Sequence, residues 1–98
     1  MLVRFARSGG FGGMRVSRAV DTGTLTPGEA KNVTALVESA SFFSLPETFP
    51  RPSKGADFFT YTITVEDGGR NHTIEVCEPA APPTLIPLIR YLAKRGEK

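Results

Sequence analysis

Side chains that support nucleophilic or metal chemistry are scarce in this 98-residue sequence, which has one histidine, His72, and one cysteine, Cys77. A nucleophile–base pair would need His72 beside Ser8, Ser17 or Cys77, and the spacing of these residues in the sequence does not indicate such a pair. One histidine and one cysteine fall short of a closed zinc site, and a single cysteine cannot form an internal disulfide. We therefore predict a protein that is not an enzyme, with no catalytic residue, no bound metal and no cofactor. His72 is instead expected at the end of a sheet row beside Val65, and Cys77 as a small, partly buried apolar residue.

The most distinctive local sequence is the glycine-rich run Ser8-Gly9-Gly10-Phe11-Gly12-Gly13. It has the look of a phosphate-binding loop, but it lacks the Gly-Lys-Ser/Thr ending of a P-loop and the Gly-x-Gly-x-x-Gly spacing, and a strand is predicted to follow it. Nucleotide binding is therefore not supported. We interpret the run as a hairpin connection whose glycines can adopt positive φ, with Phe11 as its only large side chain.

The charge distribution is uneven although the formal net charge is only +2. Arg4, Arg7, Arg15 and Arg18 are the only charged side chains in residues 1–20, and the other 78 residues carry eight basic against ten acidic groups. A +4 block of this kind indicates either a surface for nucleic acid or an acidic protein, or simply two solvated strand faces.

Length and composition limit the class of protein. A chain of 98 residues that is 40% hydrophobic fits a single domain, residues 1–98. Its ten glycines and eight prolines cluster at turns and do not form a low-complexity tract. No run of about 18 apolar residues occurs, and charge interrupts the first residues too often for a signal-peptide core. We expect a cytoplasmic protein without a membrane partner.

The first half of the chain predicts two strands and a helix. Alternating side chains predict strands at Leu2–Arg7 and Met14–Val20, joined as a hairpin. Thr26-Pro27-Gly28-Glu29 has the form of a capping box, with Pro27 at the first helical position. Apolar residues then recur at three- and four-residue spacing, which predicts a helix over Pro27–Ala40.

The second half repeats the pattern. Phe58–Glu66 alternates strictly and predicts a strand, and a two-residue Gly68-Gly69 loop then leads into a partner strand. This loop length predicts the pairs Val65–His72, Ile63–Ile74 and Tyr61–Val76, because an odd length would turn the apolar residues outward. A second helix is predicted over Thr84–Lys94, with Thr84 as N-cap and Pro87 at the third helical position. The order ββαββα predicts an α+β fold: one two-layer domain, with a four-stranded antiparallel sheet and both helices packed on one face.

Five segments follow one another in a distinctive order and spacing. They are Ser8-Gly9-Gly10-Phe11 with Gly13, Phe42-Phe43-Ser44-Leu45-Pro46, Gly55-Ala56-Asp57, Phe59-Thr60-Tyr61-Thr62-Ile63-Thr64-Val65, and Pro82-Pro83-Thr84-Leu85-Ile86-Pro87-Leu88. In this order and spacing they resemble the emfourin (protealysin inhibitor) family across nearly the whole chain. No single segment is diagnostic, and the sequence departs from the expected pattern at Glu78 and in lacking a tryptophan near Tyr91. The resemblance implies a small bacterial inhibitor of thermolysin-like zinc metallopeptidases, one of which would be its partner.

On that basis we predict a reversible, tight-binding inhibitor, monomeric when free, that blocks the active-site cleft of the peptidase. Thermolysin-like peptidases favour a bulky apolar residue just after the cleaved bond, so Phe11 either enters that pocket or folds back on its own hairpin. The peptidase zinc is either shielded without ligation or approached by a carboxylate or the N-terminal amine of the inhibitor. The predicted protease-binding residues are Ser8, Gly9, Gly10, Phe11, Gly12, Gly13, Arg15 and Asp57. The alternative function is a nucleic-acid or polyanion-binding module that uses the basic hairpin; nucleic acid is the less expected partner.

Overall fold

The computed structural model describes residues 1–9, 15–49, 59–77 and 80–95. The described elements follow the predicted order ββαββα, which confirms the α+β fold. Short 3-10 turns at Thr22–Thr24 and Phe42–Ser44 flank the first helix. The main elements are β1 (Leu2–Gly9), β2 (Arg15–Asp21), α1 (Pro27–Ser39), β3 (Phe59–Asp67), β4 (Arg70–Cys77) and α2 (Ile86–Arg95).

The four strands form one antiparallel sheet in the order β2-β1-β3-β4. β1 pairs with β2 and β3 pairs with β4, so each pair of consecutive strands forms a hairpin. The two hairpins join where β1 lies beside β3, from Leu2 opposite Glu66 to Gly9 opposite Phe59. The two central strands therefore come from different hairpins. This arrangement makes the sheet continuous and leaves β2 and β4 as its outer strands.

The predicted register of the second hairpin is confirmed. Val65 lies opposite His72, and the two apolar pairs follow it as expected. Gly68 and Gly69 connect the strands with φ values of 56° and 92°, the positive values that a tight two-residue hairpin turn requires. The turn therefore places the apolar side chains of both strands on the same face of the sheet.

The core lies between that face and the two helices. Alternate residues of all four strands are buried there, while the other face of the sheet, which we call the open face, carries mainly small and polar side chains. Val33 and Val37 of α1 and Leu88 and Leu92 of α2 complete the core. The buried strand residues are Val3, Phe5, Val20, Tyr61, Ile63, Val65, Ile74 and Val76.

The start of α1 is confirmed and that of α2 is not where we expected it. The hydroxyl of Thr26 accepts a hydrogen bond from the Glu29 N–H at 3.2 Å, and Pro27 is the first helical residue. In contrast, α2 begins at Ile86, so Thr84 is not its N-cap and Pro87 is its second residue, not its third. The reason is the preceding proline-rich turn, in which the Leu85 N–H donates to the Pro82 carbonyl at 2.9 Å.

The segment after α1 packs against the core. Ser41, with φ of 50°, turns the chain so that Phe42 enters the core, where it is only 1% exposed. The Nε2 atom of His72 lies 2.6 Å from the Leu45 carbonyl oxygen, so it donates a hydrogen bond that ties this segment to β4. None of the helices among the described residues is long and apolar enough to span a membrane.

Candidate functional site

One end of the sheet gathers the described residues that flank the predicted binding segments, and we call it the loop end. Gly9 lies opposite Phe59, so the residue that leads into the glycine run is paired with the residue that follows Asp57 by two positions. Arg15, the first residue of β2, lies opposite Ser8. Cys77 lies opposite Thr60 at the same end. The sheet register therefore brings the described residues that flank the two predicted binding segments to one end of the sheet.

The predicted binding residues divide between described and undescribed parts of the chain. Ser8 is half-buried on the open face, and Gly9 ends β1. The position of Arg15 is given by its register alone. Gly10, Phe11, Gly12, Gly13 and Asp57 lie outside the described residues, so their role stays a prediction.

An aromatic cluster that we did not predict from the sequence lies beside the loop end, on the helix-facing side of the sheet. The guanidinium carbon of Arg7 lies 4.5 Å from the ring centroid of Phe59. Phe59 contacts Tyr61, with ring centroids 6.5 Å apart, and Tyr61 stacks on Phe5 at 5.8 Å. Arg7 therefore covers the outer end of a row of core rings. The sequence carried a signal for this placement, since strict alternation puts Arg7 on the same face as Val3 and Phe5.

The four arginines of the N-terminal hairpin do not share one face. By strand alternation Arg4 belongs to the open face, whereas Arg7 and Arg18 belong to the other face. Arg4 forms an exposed ion pair with Glu66, with 3.6 Å between nitrogen and oxygen. Arg18 donates a hydrogen bond from Nη1 to the Ser17 carbonyl at 3.3 Å. The described arginines thus have different partners on different faces, an arrangement that does not favour a single polyanion-binding patch.

The candidate nucleophiles lie far from the histidine, since Ser17 is on β2, at the opposite edge of the sheet from β4, and Ser8 and Cys77 are at the opposite end of the strands. Ser8, Thr60 and Cys77 form one row across the open face, while His72 lies opposite Val65 on the core face. Thr60 and Val65 are five residue steps apart, roughly 16 Å along β3. No hydrogen-bonded nucleophile–base pair is therefore formed by these residues. Within residues 1–9, 15–49, 59–77 and 80–95, no three His, Cys, Asp or Glu side chains come together as a metal-binding group.

His72 and Cys77 occupy the structural positions that we predicted for them. The imidazole of His72 packs edge-on against the ring of Phe42, with centroids 5.7 Å apart, in addition to its hydrogen bond to Leu45. Cys77 is 8% exposed, and its sulfur lies 3.7 Å from the hydroxyl oxygen of Thr60. Both side chains therefore stabilise the packing of β4.

Comparison with known proteins identifies the family. The model of the Emfourin family matches residues 5–93, nearly the whole chain. The chain belongs to the Emfourin family. A comparison with curated protein sequences finds no match to the chain. A solved structure described as "Emfourin (M4in) from Serratia proteamaculans, M4 family peptidase inhibitor" is similar, with a TM-score of 0.48 and 18% sequence identity. The similarity covers 89% of this chain and 83% of that chain.

Proposed function

We propose that this chain inhibits thermolysin-like, M4-family zinc metallopeptidases by binding reversibly at the active-site cleft. Membership of the Emfourin family, over residues 5–93, is the observation that carries the proposal. The emfourin from Serratia proteamaculans is described as an M4 family peptidase inhibitor. On this proposal the protein acts by occupying a surface of the peptidase and not by chemistry of its own.

The geometry of the loop end supports this mode of action. A rigid antiparallel sheet positions Ser8 and Gly9 next to Phe59, so the glycine run starts from a fixed backbone. A loop held at both ends by a scaffold loses less conformational entropy on binding than a free peptide does. The separation of Ser8 and Cys77 from His72 likewise suits a binding protein, because none of these groups is arranged for catalysis.

The proposed mode of binding has three parts. Phe11 enters the apolar pocket of the peptidase that receives the side chain after the cleaved bond. Its glycine neighbours let the inhibitor backbone approach the walls of the cleft closely. Arg15 and Asp57 contribute polar contacts at the rim, and the free inhibitor is a monomer.

Inhibition is tested by titrating the purified protein into a thermolysin-like peptidase and following residual cleavage of a peptide substrate. We expect activity to fall linearly to near zero at one equivalent when the enzyme concentration exceeds the dissociation constant. Zinc content of the peptidase, measured after gel filtration of the complex, should be unchanged, because the inhibitor acts without removing the metal. A trypsin-like serine protease is the control and should keep its activity. Full activity of the metallopeptidase at a large excess of the protein contradicts the proposal.

A further inference from the structure

The two outer strands of the sheet, β2 and β4, differ in whether another segment of the chain covers their outer edge. The edge of β4 is covered, because the Glu75 N–H donates to the Glu47 carbonyl at 2.8 Å and Thr48 forms a parallel bridge with Glu75. The described residues provide no corresponding strand along β2. The outer edge of β2 is therefore the place where the described sheet can accept another strand.

The hydrogen-bond phase of β2 shows which backbone groups face outward. The Thr22 N–H donates to the Met1 carbonyl at 2.9 Å, so this pair is a hydrogen-bonded pair of the β1–β2 ladder. Alternation then directs the backbone groups of Arg18 toward β1 and those of Ser17 and Ala19 away from it. Ser17 and Ala19 are both exposed. The free edge thus presents N–H and C=O groups at these two residues.

Side chains of the protein itself cover part of this edge. The carbonyl of Ser17 accepts a hydrogen bond from Arg18 Nη1 at 3.3 Å, and the carbonyl of Asp21 accepts one from the Thr24 hydroxyl at 2.9 Å. Ala19 lies between them, and within the described part of the chain its outward N–H and C=O have no such partner. Ala19 is therefore the centre of the accessible edge.

A shallow depression with a volume of about 440 Å³ lies on the open face next to this edge and has mainly apolar walls. Side chains of an added strand alternate between the two faces of the sheet, and those on the open face would lie beside this depression. Most of the lining side chains are small and two are arginines; the lining consists of Ala6, Ser17, Ala19, Thr62 and Thr64 together with Arg4, Phe5 and Arg18.

Charge indicates which strand would pair here. Residues 1–20 contain four arginines and no acidic residue. Edge-to-edge pairing of two copies would bring together two hairpins that each carry four arginines against the single carboxylate of Asp21, whereas an acidic segment would neutralise this excess of positive charge. Arg18 is suited to this exchange, because a carboxylate is a stronger acceptor for its guanidinium than the Ser17 carbonyl that it now contacts.

We propose that the outer edge of β2 pairs with an extended, acidic segment of the target peptidase, centred on Ala19. The inference rests on the proposed inhibitory function and adds a second contact to it. β2 begins at Arg15, beside the loop end, so a peptidase that binds the glycine run is already adjacent to this edge. The main-chain hydrogen bonds supply affinity and Arg18 supplies the preference for acidic residues.

Amide hydrogen exchange of the full-length inhibitor, alone and with a thermolysin-like peptidase, tests the strand pairing directly. The amides of Ser17 and Ala19 should exchange at least about tenfold more slowly in the complex. The amides of Val16, Arg18 and Val20, which already donate within the sheet, serve as internal controls. If the amides of Ser17 and Ala19 both exchange at unchanged rates in a complex whose peptidase is inhibited, the proposal is overturned.

Two matched pairs of variants test how much the edge of β2 and Arg18 contribute to inhibition. Ala19→Pro removes the outward N–H without removing a donor to β1, since proline is tolerated on an edge strand whose N–H faces solvent. We expect the inhibition constant to rise about tenfold or more, while Ala19→Thr, which keeps the N–H, changes it by less than about threefold. Arg18→Gln should weaken inhibition about threefold and reduce its salt dependence, whereas Arg90→Gln on α2 should do neither.

The outcomes separate this inference from the proposed function. If wild type inhibits and Ala19→Pro, folded by circular dichroism, inhibits equally well, the pairing of β2 is wrong and the inhibitory function stands. If Ala19→Pro does not fold, the exchange of the wild-type amides decides. If wild type inhibits no thermolysin-like peptidase, the proposed function fails and this inference fails with it.

Discussion

Arg7 is a charged residue that packs against an aromatic ring at the edge of the core. It lies on the helix-facing side of β1, where its guanidinium covers the ring of Phe59 at 4.5 Å. Arg4 lies three residues earlier on the same strand but on the open face, where it forms an exposed ion pair with Glu66. The two arginines of one strand therefore differ in what their removal should cost.

We expect Arg7→Ala to lower the free energy of unfolding by about 0.5–1 kcal/mol, because a cation–π contact and the packing of the arginine stem over Phe59 are lost together. Arg4→Ala is the matched control, and its effect should be smaller, since exposed ion pairs contribute little. Urea denaturation of the two variants measures the difference. Equal destabilisation by both substitutions would show that loss of the contact with Phe59 is not what destabilises the Arg7→Ala variant.

Phe11 is the residue on which the proposed inhibition depends most. Truncation of a central aromatic anchor typically costs about 2 kcal/mol or more, so Phe11→Ala should raise the inhibition constant roughly thirtyfold. Arg15→Ala should instead lower mainly the association rate, because a rim charge steers encounter. Phe43→Ala, which removes a half-buried ring at the other end of the sheet, is the control for loss of an aromatic group. Tight inhibition by a folded Phe11→Ala variant would move the anchor to residues 46–55 or to Asp57.

At the level of elements, the parts that sequence predicted correctly are those in which two independent signals agree. The register of β3 and β4 followed from the period of two together with the Gly68-Gly69 loop, because only an even loop length buries both apolar rows. The start of α1 followed from the Thr26 cap together with Pro27. Local sequence is sufficient in these places because the contacts that decide them are local.

The start of α2 and the surroundings of the site could not be predicted in the same way. Thr84 is a good N-cap residue, but the turn from Pro82 to Leu85 is stabilised by its own backbone hydrogen bond and delays the helix to Ile86. The contact between Arg7 and Phe59 depends on the pairing of β1 with β3, which are separated by the whole of α1. The glycine run has no apolar periodicity, so its sequence does not define its conformation.

The capping of α1 gives a prediction with a control in the same helix. Thr26→Ala removes the side-chain acceptor of the Glu29 N–H and should lower the free energy of unfolding by about 1 kcal/mol. Thr34→Ala makes the same chemical change within the helix, where Thr34 donates to the Ala30 carbonyl. There alanine has the higher helix propensity, so this variant should be neutral or slightly stabilised. Thermal denaturation compares them, and an equal loss in both would contradict the capping role.

The two ends of the sheet are separated by the length of β1, whose 8 residues span roughly 25 Å. The loop end contains Ser8, Gly9 and Phe59, while the other end of the sheet contains Met1 and the Gly68-Gly69 turn. The amino group of Met1 donates to the Thr22 hydroxyl at 3.1 Å. The N-terminal amine and Gly9, the last described residue before the rest of the glycine run, therefore lie at opposite ends of the sheet. On the proposed binding mode the amine is not the group that approaches the peptidase zinc.

The distribution of charge over the whole molecule leads to a prediction about salt. The hairpin arginines are divided between two faces, and Arg4 is already paired with Glu66, so they do not form one row for a phosphate backbone. A protein that neutralised four phosphates would lose roughly 150-fold in affinity for DNA between 50 and 200 mM salt. Inhibition that is centred on a desolvated aromatic anchor should weaken by less than about fivefold over the same range, with most of the change in the association rate. Parallel titrations against a thermolysin-like peptidase and a fluorescent DNA duplex measure both. Tight, steeply salt-dependent DNA binding without inhibition would favour the polyanion-binding alternative, because only a continuous basic surface produces that slope.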